Sequence, residues 1–446
     1  MFLRHTSQII TFCTFIYSPI LFALDLSEVI SLAHKNDAGY QIATAEYITV
    51  TERQPQSFSV FLPTIDLNIY ASDTTSEISN STVSANNGKS DFSTSGYSLS
   101  LNQTLFNKKL FDALDQSEAE IARALASFQA AKLDMIIRTA TAYFEVLAAI
   151  DNLDFAQSEK NAINRQLEQS TARFNAGLIA ITDVKESQAQ FDIAVALEIA
   201  AENELTNAKE ELYVLINSPI DKIAELDQSI SLLTPDPEDM EQWQHNATDN
   251  NLDLRAAYYA VIAATESVSG TQADHYPTLN LNLVHDNEST DGSPLVSVVG
   301  GQDTEDTRLT LNLDIPIYSG GFTNSKHREA IARLDKARAT LSNQKRLTIQ
   351  QTRNAFRGIK AAIAQAHAFK KALESTQSAS EATQAGFEVG TRNSVDVLFA
   401  QREQNKSKRD YLRALYDYIL NVLELKRSAG SLSENDIQQI NQWLTH

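Results

Sequence analysis

The sequence predicts a mixed, mainly α-helical chain built twice over, each half carrying a helix, a strand pair and a pair of long helices. Three observations predict it. Prolines are confined to narrow zones, two hydrophobic periods alternate along the chain, and motifs recur at a spacing of about half its length.

The chain of 446 residues is long enough for a large core. Arg4 precedes a largely apolar run ending near Ala23, which reads as a secretory leader over residues 1–23. The run is short for a membrane span and contains Pro19. Its removal takes one positive charge from a net −20, leaving −21, and removes Cys13, the only cysteine. A thiol-free mature chain suits an oxidising compartment. Its acidity excludes the basic footprint that nucleic acid requires.

Beyond Leu24 no stretch is apolar enough for a membrane helix, so any contact with a bilayer must use strands. TIDLNIY (64–70), GYSLSLNQTLF (96–106), TLNLNLV (278–284) and RLTLNLDIPIY (308–318) alternate apolar and polar residues. Leu309, Leu311, Leu313, Ile315 and Ile317 share one face, and Arg308, Thr310, Asn312 and Asp314 the other. Leucine outward and asparagine or serine inward fits a barrel strand between lipid and water. The strand pairs span 64–106 and 277–318, and segments 72–92 and 285–307 read as long polar loops.

Residues 64–218 and 317–446 contain no proline. Asn107–Asn217 has one glycine, Gly177, and Thr323–Ala429 has only Gly358, Gly386 and Gly390. Rich in good helix formers, each reads as two long helices broken at a glycine, over 107–217 and 323–429. Phe191, Leu205 and Leu212 recur at heptad steps, with Ala194, Ala201, Ala208 and Leu215 beside them. Glu198 interrupts that seam, as Asn405 and Lys408 interrupt the one marked by Leu412, Leu415, Ile419 and Val422. About 70 helical residues span roughly 100 Å, so these helices reach across a distance.

RFNAGLIAITDV (173–184) aligns without a gap on the segment 213 residues later, placing Phe174 on Phe387, Gly177 on Gly390, Asp183 on Asp396 and Val184 on Val397. FLPTIDLN (61–68) matches HYPTLNLN (275–282). The repeats are therefore 24–218 and 251–430, joined by an acidic proline-bearing segment 219–250 and followed by 431–446. Four strands cannot close a barrel, and free sheet edges cannot lie in lipid. Several copies must pool their strands.

No nucleophile constellation, phosphate loop or metal-ligand spacing is present, and no cofactor or enzymatic activity is expected. A passive porin would lack the long helix pairs, and a coiled-coil scaffold or surface protein would not need lipid-facing strands.

TATAYFEVLAAID (139–151), RFNAGLIAITDV, PIYSGG (316–321) and VGTRNSVDVL (389–398) together resemble the TolC-like outer-membrane efflux proteins. The resemblance runs from about Leu24 to the end. It implies a homotrimer with a transmembrane β-barrel of four strands per chain and a periplasmic α-barrel of long helices. Such a channel-tunnel would serve efflux or type I secretion, opening its tip when a periplasmic adaptor and an inner-membrane RND or ABC transporter dock. By the same resemblance Gly177, Leu178, Gly390 and Thr391 lie at adaptor-docking tips. Asp183 would pair with Arg392, and the Thr182 position with a tyrosine where this chain has Phe387, to hold the tip closed. Asp396 would line the constriction. Phe387 lacks the hydroxyl, and Phe399 stands where the best-studied member has a second acidic ring. A tip held less firmly by hydrogen bonds, a weaker cation block and an apolar seal by Phe399 are the expected results.

Overall fold

The computed structural model describes residues 23–80, 82–83, 87–294 and 300–445, so the expected leader lies, Ala23 apart, outside the described residues. Three short helices open it: α1 (Leu26–Asn36), α2 (Ala38–Thr51) and α3 (Arg53–Ser59). Strands β1 (Thr64–Ile78) and β2 (Gly88–Phe106) lead into α4 (Lys108–Asn175) and α5 (Ile181–Ile216). Strand β3 (Glu225–Leu226) is followed by α6 (Met240–Asn250) and α7 (Leu252–Ala273), then β4 (Thr278–Gly292) and β5 (Gln302–Asp314). Helices α8 (Phe322–Glu388), α9 (Ser394–Ser428) and α10 (Glu434–Asn441) precede β6 (Leu444–Thr445).

The duplication extends further than the motifs suggested. Helices α1 and α6, of 11 residues each, stand 214 apart, as do β1 and β4, of 15 residues each. Helix α4 has 68 residues and α8 has 67, so the offset falls to 213 at the turns beyond them. The second unit thus begins with α6, inside the segment 219–250 expected to be a bridge. The single leading helix expected in each half is also divided. Asp37 ends α1 and caps α2 through Tyr40 N at 2.6 Å, and Asn251 does the same between α6 and α7 through Leu254 N at 3.0 Å. A side chain that accepts the first free N–H starts a new helix where the old one stops.

Helix α4 packs against α5, α7 and α9, and α8 packs against α9, α7 and α6. The shorter α7 and α9 each pack against both long helices, while α2 and α5 also pack on α4. At 1.5 Å per residue, α4 alone is about 100 Å long. Ala194, Ala201 and Ala208 are buried in the predicted seam. Glu198 does not break it, because Lys160 Nζ of α4 reaches both of its carboxylate oxygens at 2.7 Å.

The main core lies part-way along the helices. It joins Tyr143, Phe144 and Leu147 of α4, Phe356 and Ile359 of α8, and Leu415, Ile419 and Leu423 of α9 with α1, α10 and the β3–β6 pair. Its tyrosines keep their hydroxyls satisfied: Tyr143 donates to Ala224 O at 2.7 Å and Tyr411 to Gln228 O at 3.0 Å. These bonds tie the inter-repeat segment onto the helices.

The four long strands form one antiparallel sheet in the order β1-β2-β4-β5. Ile65, Leu101, Leu283 and Leu309 fall in one register row, with the Leu67–Leu99 pair beside it on the same face. The opposite face is polar, and there Asn282 Nδ2 donates to Asn102 Oδ1 at 2.6 Å. Segments 72–92 and 285–307, expected as loops, are mostly strand: β1 runs to Ile78, β2 starts at Gly88, β4 runs to Gly292 and β5 starts at Gln302. Backbone pairing continues past the apolar band because the ladder itself needs no leucine. Conversely β5 stops at Asp314, so Ile315 and Ile317 lie past the strand, since Pro316 has no N–H for the ladder. Among the described residues β1 and β5 each pair on one side only. Among the described residues no helix is long and apolar enough to cross a membrane.

Candidate gate and tip turns

Both long helix pairs turn through the same backbone device. At the end of α4, Gly177 has φ +73°, its N–H reaches Phe174 O at 2.8 Å, and Leu178 N reaches Arg173 O at 2.9 Å. At the end of α8, Gly390 has φ +79°, with Gly390 N on Phe387 O at 3.0 Å and Thr391 N on Gly386 O at 2.8 Å. This crossed pair of bonds closes a helix with one left-handed residue, which glycine adopts without a Cβ penalty. Leu178, Gly390 and Thr391 are exposed at these ends, as is Gly177.

The returning helices are not equivalent. Asn393 caps α9, its Oδ1 accepting from Asp396 N at 3.0 Å while Asp396 Oδ2 accepts from Asn393 N at 3.1 Å. The matching residue before α5 is Ala180, which has the extended backbone of an N-cap (φ −80°, ψ 157°) but no side-chain oxygen. Asp396 is therefore engaged in a reciprocal cap, and Asp183, its repeat partner, is not. Replacing Ala180 with asparagine should complete the cap and stabilise the tip by about 0.5–1 kcal/mol. Thermal unfolding of the detergent-solubilised protein, compared with Ala180→Gly, measures the gain.

Asp183 and Arg392 are both exposed, and among the described residues neither has an ion-pair partner. Thr182 is exposed beside Asp183. The Arg392 stem folds over Gly386, where a Cβ would come within 2.8 Å of Arg392 Cγ. Gly386, four residues before Gly390, is a second glycine of that turn to which sequence spacing alone assigns no role. Phe387 is 44 % exposed on the last turn of α8. Phe399 is 47 % exposed and lines a small cavity with Ile163, Gln190 and Leu398, so one side of its ring leans on the helix wall. The structure thus brings Asp396 to Asn393 and Arg392 to Gly386, but does not join Asp183 to Arg392 or Thr182 to Phe387 within one chain.

Above the tips, charged pairs fasten the helices, and sequence reading missed them. Arg402 of α9 reaches Glu159 of α4 at 2.8 Å, and Arg413 grips Glu145 through two bonds of 2.8 and 2.9 Å. Tyr416 donates to Asp151 at 2.7 Å, beside a cavity of about 220 Å³ between α4 and α9. Burial pushes the Asp151 carboxyl up to about 6, against the lowering effects of the Tyr416 bond and Lys408. Only the packing of α4 against α9 brings these residues together; nothing in their spacing marks them.

A duplicated α/β unit with long helices, an amphipathic four-stranded sheet and paired glycine turns now has a match. The family profile described as outer membrane efflux protein matches residues 56–218 and 243–431. The chain belongs to the outer membrane efflux protein family. The outer membrane protein TolC of Vibrio cholerae is 35 % identical over 433 residues, covering 96 % of this chain and 95 % of that protein. The alkaline protease secretion protein AprF of Pseudomonas aeruginosa is 26 % identical, covering 94 % of this chain and 87 % of its own length. Among solved structures, the Campylobacter jejuni CmeC outer membrane channel superposes with a TM-score of 0.74 at 17 % identity, covering 94 % and 90 % of the two chains. The efflux protein is an outer-membrane channel of efflux or type I secretion, reaching into the periplasm. Its relatives are channels rather than enzymes.

Proposed function

We propose that three chains join edge to edge into a 12-stranded barrel and a closed ring of long helices. The observation that carries this reading is the pair of half-filled edges: β1 and β5 each lack a second partner, while Ile65 and Leu309 on them are 66 % and 68 % exposed. An unsatisfied edge with an apolar face is not viable in lipid, and pairing β5 of one chain with β1 of the next removes it. The exposed Ile193, Leu197 and Ile199 of α5 support the same joining along the helices. Crosslinking of the detergent-solubilised protein should give a limiting trimer, and a limiting monomer or dimer would overturn the reading.

In this assembly the tips close the periplasmic end. Asp183 of one chain faces Arg392 of a neighbour; both are exposed, and among the described residues neither has an ion partner in its own chain. The Asp396 ring lines the constriction, while Thr182 faces Phe387 without a hydrogen bond and Phe399 adds apolar closure. The tip opens by an iris-like motion of the helices when an adaptor docks at Gly177, Leu178, Gly390 and Thr391 and couples the channel to an inner-membrane RND or ABC transporter. The cargo is small molecules such as drugs, dyes and bile-salt-like compounds, or proteins; the name of AprF supports the second class. Photocrosslinkers placed at Leu178 and Thr391 should capture a periplasmic adaptor, and labelling at neither turn would overturn that contact.

The single acidic ring predicts weak block by multivalent cations. Phe399→Asp should strengthen divalent block of single channels in planar bilayers by about tenfold, since a second ring of three carboxylates adds roughly 1.4 kcal/mol or more of attraction. Unchanged block would remove Phe399 from the pore lining.

A further inference from the structure

Where β2 passes into α4, three carboxylates converge on one point. Asp112 and Asp115 of α4 and Glu266 of α7 each offer an oxygen within 4.8 Å of the others. Asp112 is only 3 % exposed. Its Oδ1 is ion-paired with Lys108 Nζ, yet among the described residues its buried Oδ2 has no hydrogen-bond partner. Leaving a buried carboxylate oxygen without a donor is costly, and native proteins seldom do so without reason. Three acids against one lysine leave a formal charge of −2.

We propose that this cluster is a binding site for a hard divalent cation, with Ca²⁺ as the ion its chemistry fits. Calcium takes oxygen ligands at about 2.3–2.6 Å in flexible geometry, so ligands across the ion lie up to about 5 Å apart. The three carboxylate oxygens meet that spacing, the orphaned Oδ2 gains a partner, and the formal charge is cancelled. Magnesium, which demands a tighter octahedron and gives up water reluctantly, fits an all-carboxylate corner less well.

The repeat supplies an independent comparison. At 214 residues further on, Lys326 stands in the place of Asp112, Glu329 in that of Asp115 and Phe322 in that of Lys108. The second half thus carries its own ammonium where the first carries a buried carboxylate. The site belongs to one copy only. It joins α4 to α7 next to the strands each adjoins, where Lys109 Nζ already reaches Asp274 at 2.7 Å, so a bound ion would fasten the tunnel helices beneath the barrel.

The test uses the full chain in detergent, stripped with EDTA and titrated with calcium chloride while binding and thermal unfolding are followed. We expect one saturable site per chain, with Kd on the order of 10⁻⁴–10⁻³ M, and a rise in Tm that sodium chloride of equal ionic strength does not give. Asp115→Asn and Glu266→Gln, at less buried positions, should fold and each weaken binding by about tenfold or more. Lys108→Met removes the competing ammonium and should tighten binding. If Lys108 alone balances the cluster, Lys108→Met will lower Tm and added calcium will not restore it. That result, or binding untouched by Asp115→Asn and Glu266→Gln, overturns the proposal.

Discussion

Arg392→Glu will raise the conductance of the closed channel in planar bilayers, and a matching Asp183→Arg in the same chain will bring it back. The expectation rests on two exposed side chains of opposite charge that, among the described residues, have no ion partner within the protomer. An exposed ion pair contributes about 0.5–1 kcal/mol, and reversing one member replaces attraction with repulsion of similar size. The swing is therefore about 1 kcal/mol or more per contact, and about 3 kcal/mol around the proposed threefold ring. That moves an open–closed ratio by roughly a hundredfold. The absent Phe387 hydroxyl sharpens the effect, since no hydrogen bond at that position shares the closing load. Conductance that stays low in Arg392→Glu would show that the pair does not hold the tip. Failure of the double exchange to restore closure would show that the single variant acts by damaging the turn.

Asp151→Asn is expected to stabilise the protein at neutral pH and to flatten its pH dependence between about pH 4 and 6. The native carboxyl is raised to about 6, chiefly by burial. Between the ordinary aspartate value of about 3.9 and that point, the folded chain holds a proton the unfolded chain has released. Stability contributed by this group is thus fully present below pH 4, falls as pH rises towards 6, and stays lost above it. Two units correspond to about 3 kcal/mol at most, and partial exposure reduces this to about 1–2 kcal/mol. Asparagine still accepts the Tyr416 hydroxyl and carries no charge to desolvate, so thermal melts at pH 4.5 and 7.5 should differ less than in the parent. Equal differences in the two proteins would place the titration elsewhere. Tyr416→Phe should act oppositely, by removing the donor that favours the carboxylate.

Much of this architecture could be read from the residues. The Gly177 and Gly390 turns, the alanine seam of α5 and the alternating leucines of β5 each impose a local rule visible in a short window. What escaped reading depends on partners far apart in the chain. Glu198 looks like a flaw until Lys160 arrives from the facing helix, and Asp151 looks like any helical acid until the core closes over it. Alternating leucine reports only the apolar band, whereas pairing from Ala71 to Ile78 rests on peptide groups and on polar contacts such as Thr75 Oγ1 donating to Asp91 Oδ1 at 2.6 Å, which no apolar period reveals. The repeat marks Gly177 and Gly390 as corresponding helix ends, and both have the left-handed backbone of such a turn. Yet the difference between Asn393 and Ala180 as caps went unnoticed, since both follow the same glycine pattern.

If the proposed trimer forms, the outer flanks of β1 and β5 give a freshly made subunit a limited lifetime. Until a neighbour arrives it presents adhesive backbone and a greasy face at once, a combination that favours clumping over waiting. Maturation should therefore depend on how many copies are present together, with dilution slowing it more steeply than a one-body process allows. A cell that synthesises this protein must escort each newcomer or destroy it.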